Sequence, residues 1–318
     1  MTEVSFVNCE VYSFGEPLAG FYATNERSLA AIGDFHMTWG GDTSNVALAL
    51  KKLGHQSGYI TKVGNDFVGE GLLELWKTTG VDIRNVIVDH NYGTGMYFVS
   101  FKNGKHEFDY KRKNSAASTL KPSDIDELHL DNFKILHLSG ITQAISKNCM
   151  EAGFYLMESA RKQNKMISYD LNYRGKLWNP DTAKCVYEYV IKEYADIVSF
   201  NEEEADILGL SSNPKEAVKE ILKYKPSLVV FRKGEEGAVL GAEKGVIEMK
   251  AYNVEIADTV GAGDTFTAAI LAGTIEGMQF EEILKFALAA AACTCSKTGS
   301  VEGQPYRNEV EELLKRES

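Results

Sequence analysis

The chain has 318 residues, 44% of them hydrophobic and 25% charged, which is ample to bury a core without disulfide support. Its formal net charge of −11 speaks against nucleic acid as a partner, since such binding rests on neutralised phosphates, yet it leaves room for a local cationic pocket. Cys9, Cys149, Cys185, Cys293 and Cys295 are odd in number and scattered, as reduced core thiols are, and no second Cys/His pair accompanies Cys293 and Cys295 to make a zinc site. No basic, apolar leader opens the chain and no apolar run nears the roughly 20 residues needed to span a bilayer, so the expectation is a cytoplasmic protein without a membrane partner.

In chain order, Cys9–Phe14, Pro17–Tyr22 and Met37–Trp39 read as strands, the last broken by Gly40-Gly41. Val46, Leu48, Ala49, Leu50 and Leu53 predict a helix over Ser44–Leu53 that stops at Gly54. Gly58–Val63 follows as a strand and Phe67–Thr79 as a helix ended by Gly80. Gly95–Tyr110 reads as a hairpin turning at Lys102-Asn103-Gly104-Lys105. With the early strands it suggests a small sheet, built from about residues 14–40 and 93–113, that serves as a lid.

After Pro122, strands and helices alternate. Ile135–Leu138, Met166–Tyr169, Asp196–Phe200 and Leu228–Phe231 are short apolar runs suited to buried parallel strands. Helices are expected near Ser146–Asn164, Pro180–Tyr194 and Pro214–Lys223. A second hairpin, Gly237–Tyr252, turns at Glu243-Lys244-Gly245, and helices Gly263–Glu276, Glu281–Lys297 and Arg307–Arg316 close the chain. The fold class this implies is α/β, a sandwich around a parallel-rich central sheet, as one unit over residues 1–318 with the small β-sheet as its outgrowth.

The segment with the most chemistry is Asp258-Thr259-Val260-Gly261-Ala262-Gly263-Asp264, which runs into an Ala-rich helix. Small residues let the backbone approach a ligand, and a helix start offers unpaired N–H groups and a positive dipole end to an anion. Asp264 there can take a proton from a hydroxyl while the N–H groups hold charge on a transferring phosphoryl. An ordinary Gly-rich turn with a helix-terminal carboxylate is the plainer alternative. A dinucleotide fingerprint fails because Phe266 stands where a third Gly is required, and no Gly-Lys pair is followed by Ser or Thr as a Walker A loop demands.

Asp-Thr-x-Gly-Ala-Gly-Asp resembles the C-terminal signature of ribokinase-like (PfkB) sugar kinases. Gly40-Gly41, Asn45, Ala47 and Gly54, followed by Val63-Gly64-Asn65-Asp66-Phe67-Val68-Gly69, resemble their N-terminal signature. The resemblance covers the whole chain and implies a ribokinase-like α/β sandwich with a β-lid over the sugar, and ATP and Mg2+ as cofactors. It makes Asp264 the catalytic base and the backbone of Gly261, Ala262 and Gly263 the anion hole.

Asn201-Glu202-Glu203-Glu204 reads alone as an acidic helix start. The family resemblance makes Asn201 a nucleotide contact and Glu204 the residue tied to magnesium, with water between them allowed. It likewise turns Lys233, Gly234 and Gly237, in the turn after Leu228–Phe231, and Asp258 into nucleotide contacts, with adenine near Ala289–Ser296.

Tyr110-Lys111-Arg112-Lys113-Asn114-Ser115 places three cations beside a small-residue turn in an acidic protein, which suits a substrate carboxylate better than a neutral sugar, although a solvated lid edge would look the same. Arg174, in Asp170-Leu171-Asn172-Tyr173-Arg174-Gly175-Lys176-Leu177-Trp178, either joins that site or pairs with Asp170. These segments, with Gly15-Glu16-Pro17, look like those of 2-keto-3-deoxygluconate kinases, and the resemblance puts sugar contacts at Gly41, Asn45, Tyr97, Tyr110, Arg112 and Arg174. The chain departs from thermophilic members at Gly299-Ser300, where they carry Gly-Asp, and fructokinases share the segment around Arg174. The expected reaction is phosphorylation of a sugar primary hydroxyl, that of 2-keto-3-deoxygluconate to its 6-phosphate, with fructose or another modified sugar as the alternative acceptor, or ligand sensing without turnover. Apolar Phe21, Tyr22, Trp39, Phe98 and Phe101 on the lid point to a homodimer or higher homo-oligomer formed through it.

Overall fold

A computed structural model describes residues 9–31, 33–102, 105–126, 128–130 and 132–316. Its strands are β1 (Val11–Phe14), β2 (Leu18–Ala23), β3 (Phe35–Gly40), β4 (Ser57–Gly64), β5 (Val86–Asp89), β6 (Gly95–Lys102), β7 (Lys105–Lys111), β8 (Ile135–Ser139), β9 (Met166–Asp170), β10 (Ile197–Phe200), β11 (Leu228–Arg232), β12 (Ala238–Ala242) and β13 (Gly245–Met249). They form a nine-stranded sheet in the order β13-β12-β11-β10-β9-β8-β1-β4-β5 and a four-stranded sheet in the order β3-β2-β6-β7.

From β11 to β5 every neighbour in the large sheet is parallel; only the β11–β12 and β12–β13 pairings are antiparallel. Both faces of such a sheet are covered, so its strands are apolar on alternate sides at once. Leu228 and Val230 of β11 pack with Val46, Leu50, Phe266, Leu271 and Leu284, while Val229 and Phe231 of the same strand pack with Leu156, Val190, Val218 and Ile221. This period-two division makes Leu228–Phe231 an unbroken apolar run. A third cluster, with Ala19, Leu48, Tyr59, Leu72, Trp76 and Val301, seats the small sheet on the large one.

The helices Asp42–Lys52, Phe67–Thr79, Lys147–Lys162, Pro180–Glu193, Pro214–Leu222, Ala262–Glu276, Phe280–Cys295 and Arg307–Arg316 agree with the expected ones to within a few residues. Strand β5 and the short helices Pro122–Ile125 and Gly140–Ala144 were not anticipated, and of the short helix Glu202–Leu208 only the acidic start was. Four to seven residues are too few to show a period, and two of these helices start on side-chain caps: Ser139 accepts from the Thr142 N–H and Asn201 from that of Glu204. The turn expected at Asn103-Gly104 lies outside the described residues, as does the side chain of Phe101.

Phe21, Tyr22, Trp39 and Phe98 are half-buried rather than exposed. Phe21 and Phe98 stack with ring centroids 5.1 Å apart, and the Trp39 ring fills the space over Gly71.

Candidate active site

The strands β8, β9, β10 and β11 run parallel, so their carboxyl ends share one edge of the sheet, the edge where α/β folds place ligands. Onto this edge come the starts of two helices from opposite ends of the chain, Asp42–Lys52 and Ala262–Glu276, which pack on each other in the core.

Gly261 caps the second of these with φ +81°, and a Cβ there would lie 2.7 Å from the Ser300 carbonyl oxygen. Only glycine fits that turn. The helix has no side-chain cap, so the amides of Gly263 and Asp264 in its first turn have no intrahelical acceptor, and Gly263 is exposed. The cradle suits an anion such as a phosphoryl group.

Asp264 is half-buried beside these amides, and its Oδ2 accepts from the Asn45 side-chain N–H at 2.7 Å. Burial first, and then the charge of Asp42, push its pKa up to about 7, while Asn45 and Arg232 pull the other way. A carboxylate poised there is matched to abstracting a proton near neutrality. Asn45 Oδ1 is buried with no acceptor role filled among the described residues, so an incoming hydroxyl can donate to it.

Asp42 was passed over in the sequence. It accepts from Asn172 Nδ2 at 3.0 Å and from the Ser139 hydroxyl, which puts a second carboxylate on the site. An Asp in a first helical turn reads as a dipole partner, and nothing local marks it otherwise.

Arg112, at the end of β7, is an ion-pair partner of Glu16, whose side chain is fully buried and also accepts from the Ser115 hydroxyl. Arg112 is only 13% exposed, and its Nε–H is buried with no acceptor among the described residues. Tyr110 lies beside it, with the Arg112 guanidinium carbon 5.8 Å from the ring centre, and tilts against Tyr97. Tyr97 is buried over Gly20 and Gly40 and meets the Tyr22 hydroxyl at 3.3 Å. Gly41, at φ +106°, lies so close to the Glu16 carbonyl that a Cβ would sit 2.5 Å from it. Gly41, Asn45, Tyr97, Tyr110 and Arg112 therefore gather at the junction of the two sheets.

Among the described residues no hydrogen bond or ion pair ties Arg174 to this group. It is exposed and donates to the Tyr173 carbonyl oxygen. The alternative pairing with Asp170 is also wrong, because Asp170 is held end-on by Arg232, at 2.5 and 2.7 Å.

Glu204 is fully buried. Its carboxylate accepts from the backbone N–H groups of Tyr173, at 2.8 Å, and Asn201, at 2.7 Å, in a reciprocal cap with the Asn201 side chain. Its side chain is enclosed and fixes the loop after β10, so a role toward magnesium would run through water. Among the described residues no cluster of three His, Cys, Asp or Glu side chains could hold a metal ion.

In the turn after β11, Lys233 pairs with Glu236 and Glu248 at 3.0 and 2.9 Å. Gly234 is open to solvent, whereas a Cβ on Gly237 would lie 2.1 Å from the Met249 carbonyl, so the hairpin alone requires that glycine. Asp258 accepts from the N–H groups of Val260 and Gly299 and fastens the loop before the anion cradle.

Residues 9–307 match the pfkB family carbohydrate kinase family. The chain is 32% identical to the 2-dehydro-3-deoxygluconokinase of Bacillus subtilis (strain 168) over 312 residues, covering 96% of this chain and 95% of that one. It is 30% identical to fructokinase-2 of Solanum lycopersicum, covering 96% of each. A ribokinase II homologue from Escherichia coli, solved in complex with ATP and Mg2+, superposes with a TM-score of 0.90 at 26% identity, covering 97% of this chain and 99% of that one. The ribokinase-like fold read from the sequence is thereby borne out, and the chain belongs to the pfkB family of carbohydrate kinases.

Proposed function

We propose that this kinase phosphorylates the primary hydroxyl of an acidic sugar, 2-keto-3-deoxygluconate (2-dehydro-3-deoxygluconate), to give the 6-phosphate. ATP with Mg2+ supplies the phosphoryl group and the counter-charge. Asp264 takes the hydroxyl proton, and the backbone of Gly261, Ala262 and Gly263 faces the charge on the transferring group. The observation that carries the acidic sugar is Arg112. A neutral ketose has no use for a nearly buried guanidinium with a buried Nε–H left unpaired, whereas a carboxylate takes that donor in a charge-assisted bond.

In this reading Gly41, Asn45, Tyr97 and Tyr110 line the sugar site, while Asn201, Lys233, Gly234, Gly237 and Asp258 border the nucleotide. Lys233 would leave Glu236 or Glu248 to reach a phosphate. Residues 1–318 act as one kinase unit, with the four-stranded sheet closing as a lid and pairing with a second copy in a cytoplasmic homo-oligomer. The test is ADP release measured across a panel of neutral and acidic sugars. 2-Keto-3-deoxygluconate should lead by at least about tenfold in kcat/KM, and a lead for any neutral sugar contradicts the proposal.

One observation favours fructose as a second reading. Glu16 already neutralises Arg112, so the sugar end of the site is less cationic than the sequence suggests.

A further inference from the structure

Arg232 opens the turn that carries Lys233, Gly234 and Gly237, yet the sequence gives it no role of its own. It is the last residue of β11, and Asp170 is the last of β9, so their ion pair spans the end of β10 that lies between them. The two end-on bonds, 2.5 Å from Nη1 to Oδ2 and 2.7 Å from Nη2 to Oδ1, fix the plane of the guanidinium. Asp170 is fixed in turn from the anion-binding helix, since the Thr267 hydroxyl reaches its Oδ2 at 3.4 Å.

The guanidinium ends directly under the cradle. A Cβ placed on Gly263 would lie 3.6 Å from Arg232 Nη1. The side chain is 18% exposed, and end-on pairing leaves a hydrogen on each terminal nitrogen and the Nε–H for another acceptor. The neighbouring Lys233 is turned outward to Glu236 and Glu248. The surroundings are otherwise acidic, with Asp42, Asp170, Glu204 and Asp264 all acting on the same small region. An anionic phosphoryl entering among them needs a fixed positive charge.

We propose that Arg232 is a catalytic residue of phosphoryl transfer, its guanidinium contacting the oxygens of the phosphoryl group as that group passes the Gly263 and Asp264 amides. In the step, Asp264 accepts the proton of the sugar hydroxyl and the hydroxyl oxygen bonds to the γ-phosphorus. The bond to the β,γ-bridging oxygen breaks, and ADP leaves with that electron pair. Arg232 stays protonated and donates hydrogen bonds throughout. Asp170 is then a positioning residue that prevents the guanidinium from turning into solvent.

The plain competitor is that Arg232 only neutralises a buried Asp170. A double-mutant comparison separates the two. Arg232→Gln, Asp170→Asn, the pair together and Arg232→Lys are assayed for kcat, KM for ATP and Tm, and for binding of ADP with aluminium fluoride against ADP alone. If Arg232 touches the phosphoryl, Arg232→Gln lowers kcat by about 10²–10³-fold. Arg232→Lys recovers part of this. The double variant regains thermal stability but not kcat, and affinity falls for the fluoride complex while that for ADP alone holds. A double variant whose kcat matches that of Asp170→Asn alone overturns the proposal, as does equal loss of affinity for ADP with and without the fluoride. Should Arg232→Gln fail to fold, the double variant and Arg232→Lys still decide, because both keep the site free of an unpaired buried carboxylate.

Discussion

The side-chain amide of Asn45 donates to Asp264 Oδ2 at 2.7 Å, joining residues 219 positions apart in the chain. One belongs to the N-terminal glycine motif and the other to the C-terminal one. The contact stabilises the charged form of Asp264 against burial and the nearby Asp42. Asn45→Ala removes that hydrogen bond, so the acid limb of kcat/KM should move to higher pH by roughly one unit. An unmoved limb would separate Asn45 from the base.

Asp264 itself sets the position of that limb. With its pKa near 7, kcat/KM of the wild type should rise with pH through about 7 and level off above it. Asp42→Asn takes away a raising influence, so the limb should shift to lower pH. Asp264→Asn should bind ATP yet lose about two to four orders of magnitude in kcat, the usual scale for a missing general base. Near-normal turnover by that variant excludes the role.

The same carboxylate carries a stability signature. Its folded pKa lies above the ordinary 3.8, so between about 4 and 7 the folded state holds a proton that the unfolded chain has released. Stability therefore falls as pH rises through that window. Asp264→Asn removes the effect and should raise Tm at pH 8 by about 2–4 °C, for roughly 1 kcal/mol after allowing for partial exposure, with little change at pH 4. Thermal melts at the two pH values check the sign, and a variant less stable at pH 8 goes against it.

The anion cradle depends on backbone shape more than on side chains. Gly261→Ala meets both a left-handed φ and the Ser300 carbonyl 2.7 Å away, and it should cost about 1–3 kcal/mol of stability and at least about tenfold in kcat. Gly263→Ala has ordinary space around it, with Arg232 Nη1 at 3.6 Å, and should fold as the wild type does. Equal melting temperatures for the two variants would remove the argument for Gly261.

Much of this site could be read along the chain because its glycines and its base lie within short segments: Gly261, Ala262, Gly263 and Asp264 in one, Gly41 and Asn45 in another. The strands were legible where burial on both faces makes them apolar throughout, as over Leu228–Phe231 of β11. What escaped notice depends on which strands become neighbours. The sequence offers Arg174 as a partner for Asp170 because they are four residues apart. The strand order instead delivers Arg232, on the far side of β10, and Arg174 is left in solvent. Glu204 read as a magnesium residue through the family resemblance, yet its carboxylate accepts from two backbone N–H groups, that of Asn201 in a local cap and that of Tyr173, which only the folded β9–β10 edge brings near.

The most direct test of the acidic-sugar reading compares two substrates on one variant. If Arg112 holds a carboxylate, Arg112→Ala leaves that anion without a charge-assisted partner, at a cost of roughly 2–5 kcal/mol. kcat/KM for 2-keto-3-deoxygluconate should then fall by at least about thirtyfold, since each 1.4 kcal/mol is tenfold. The loss for fructose should be several-fold at most, because no carboxylate is stranded. Arg112→Lys should restore part of the activity on the acid sugar. Losses of equal size on the two sugars would mean that Arg112 serves only to satisfy Glu16 and shape the site, and would contradict the assignment of an acidic substrate.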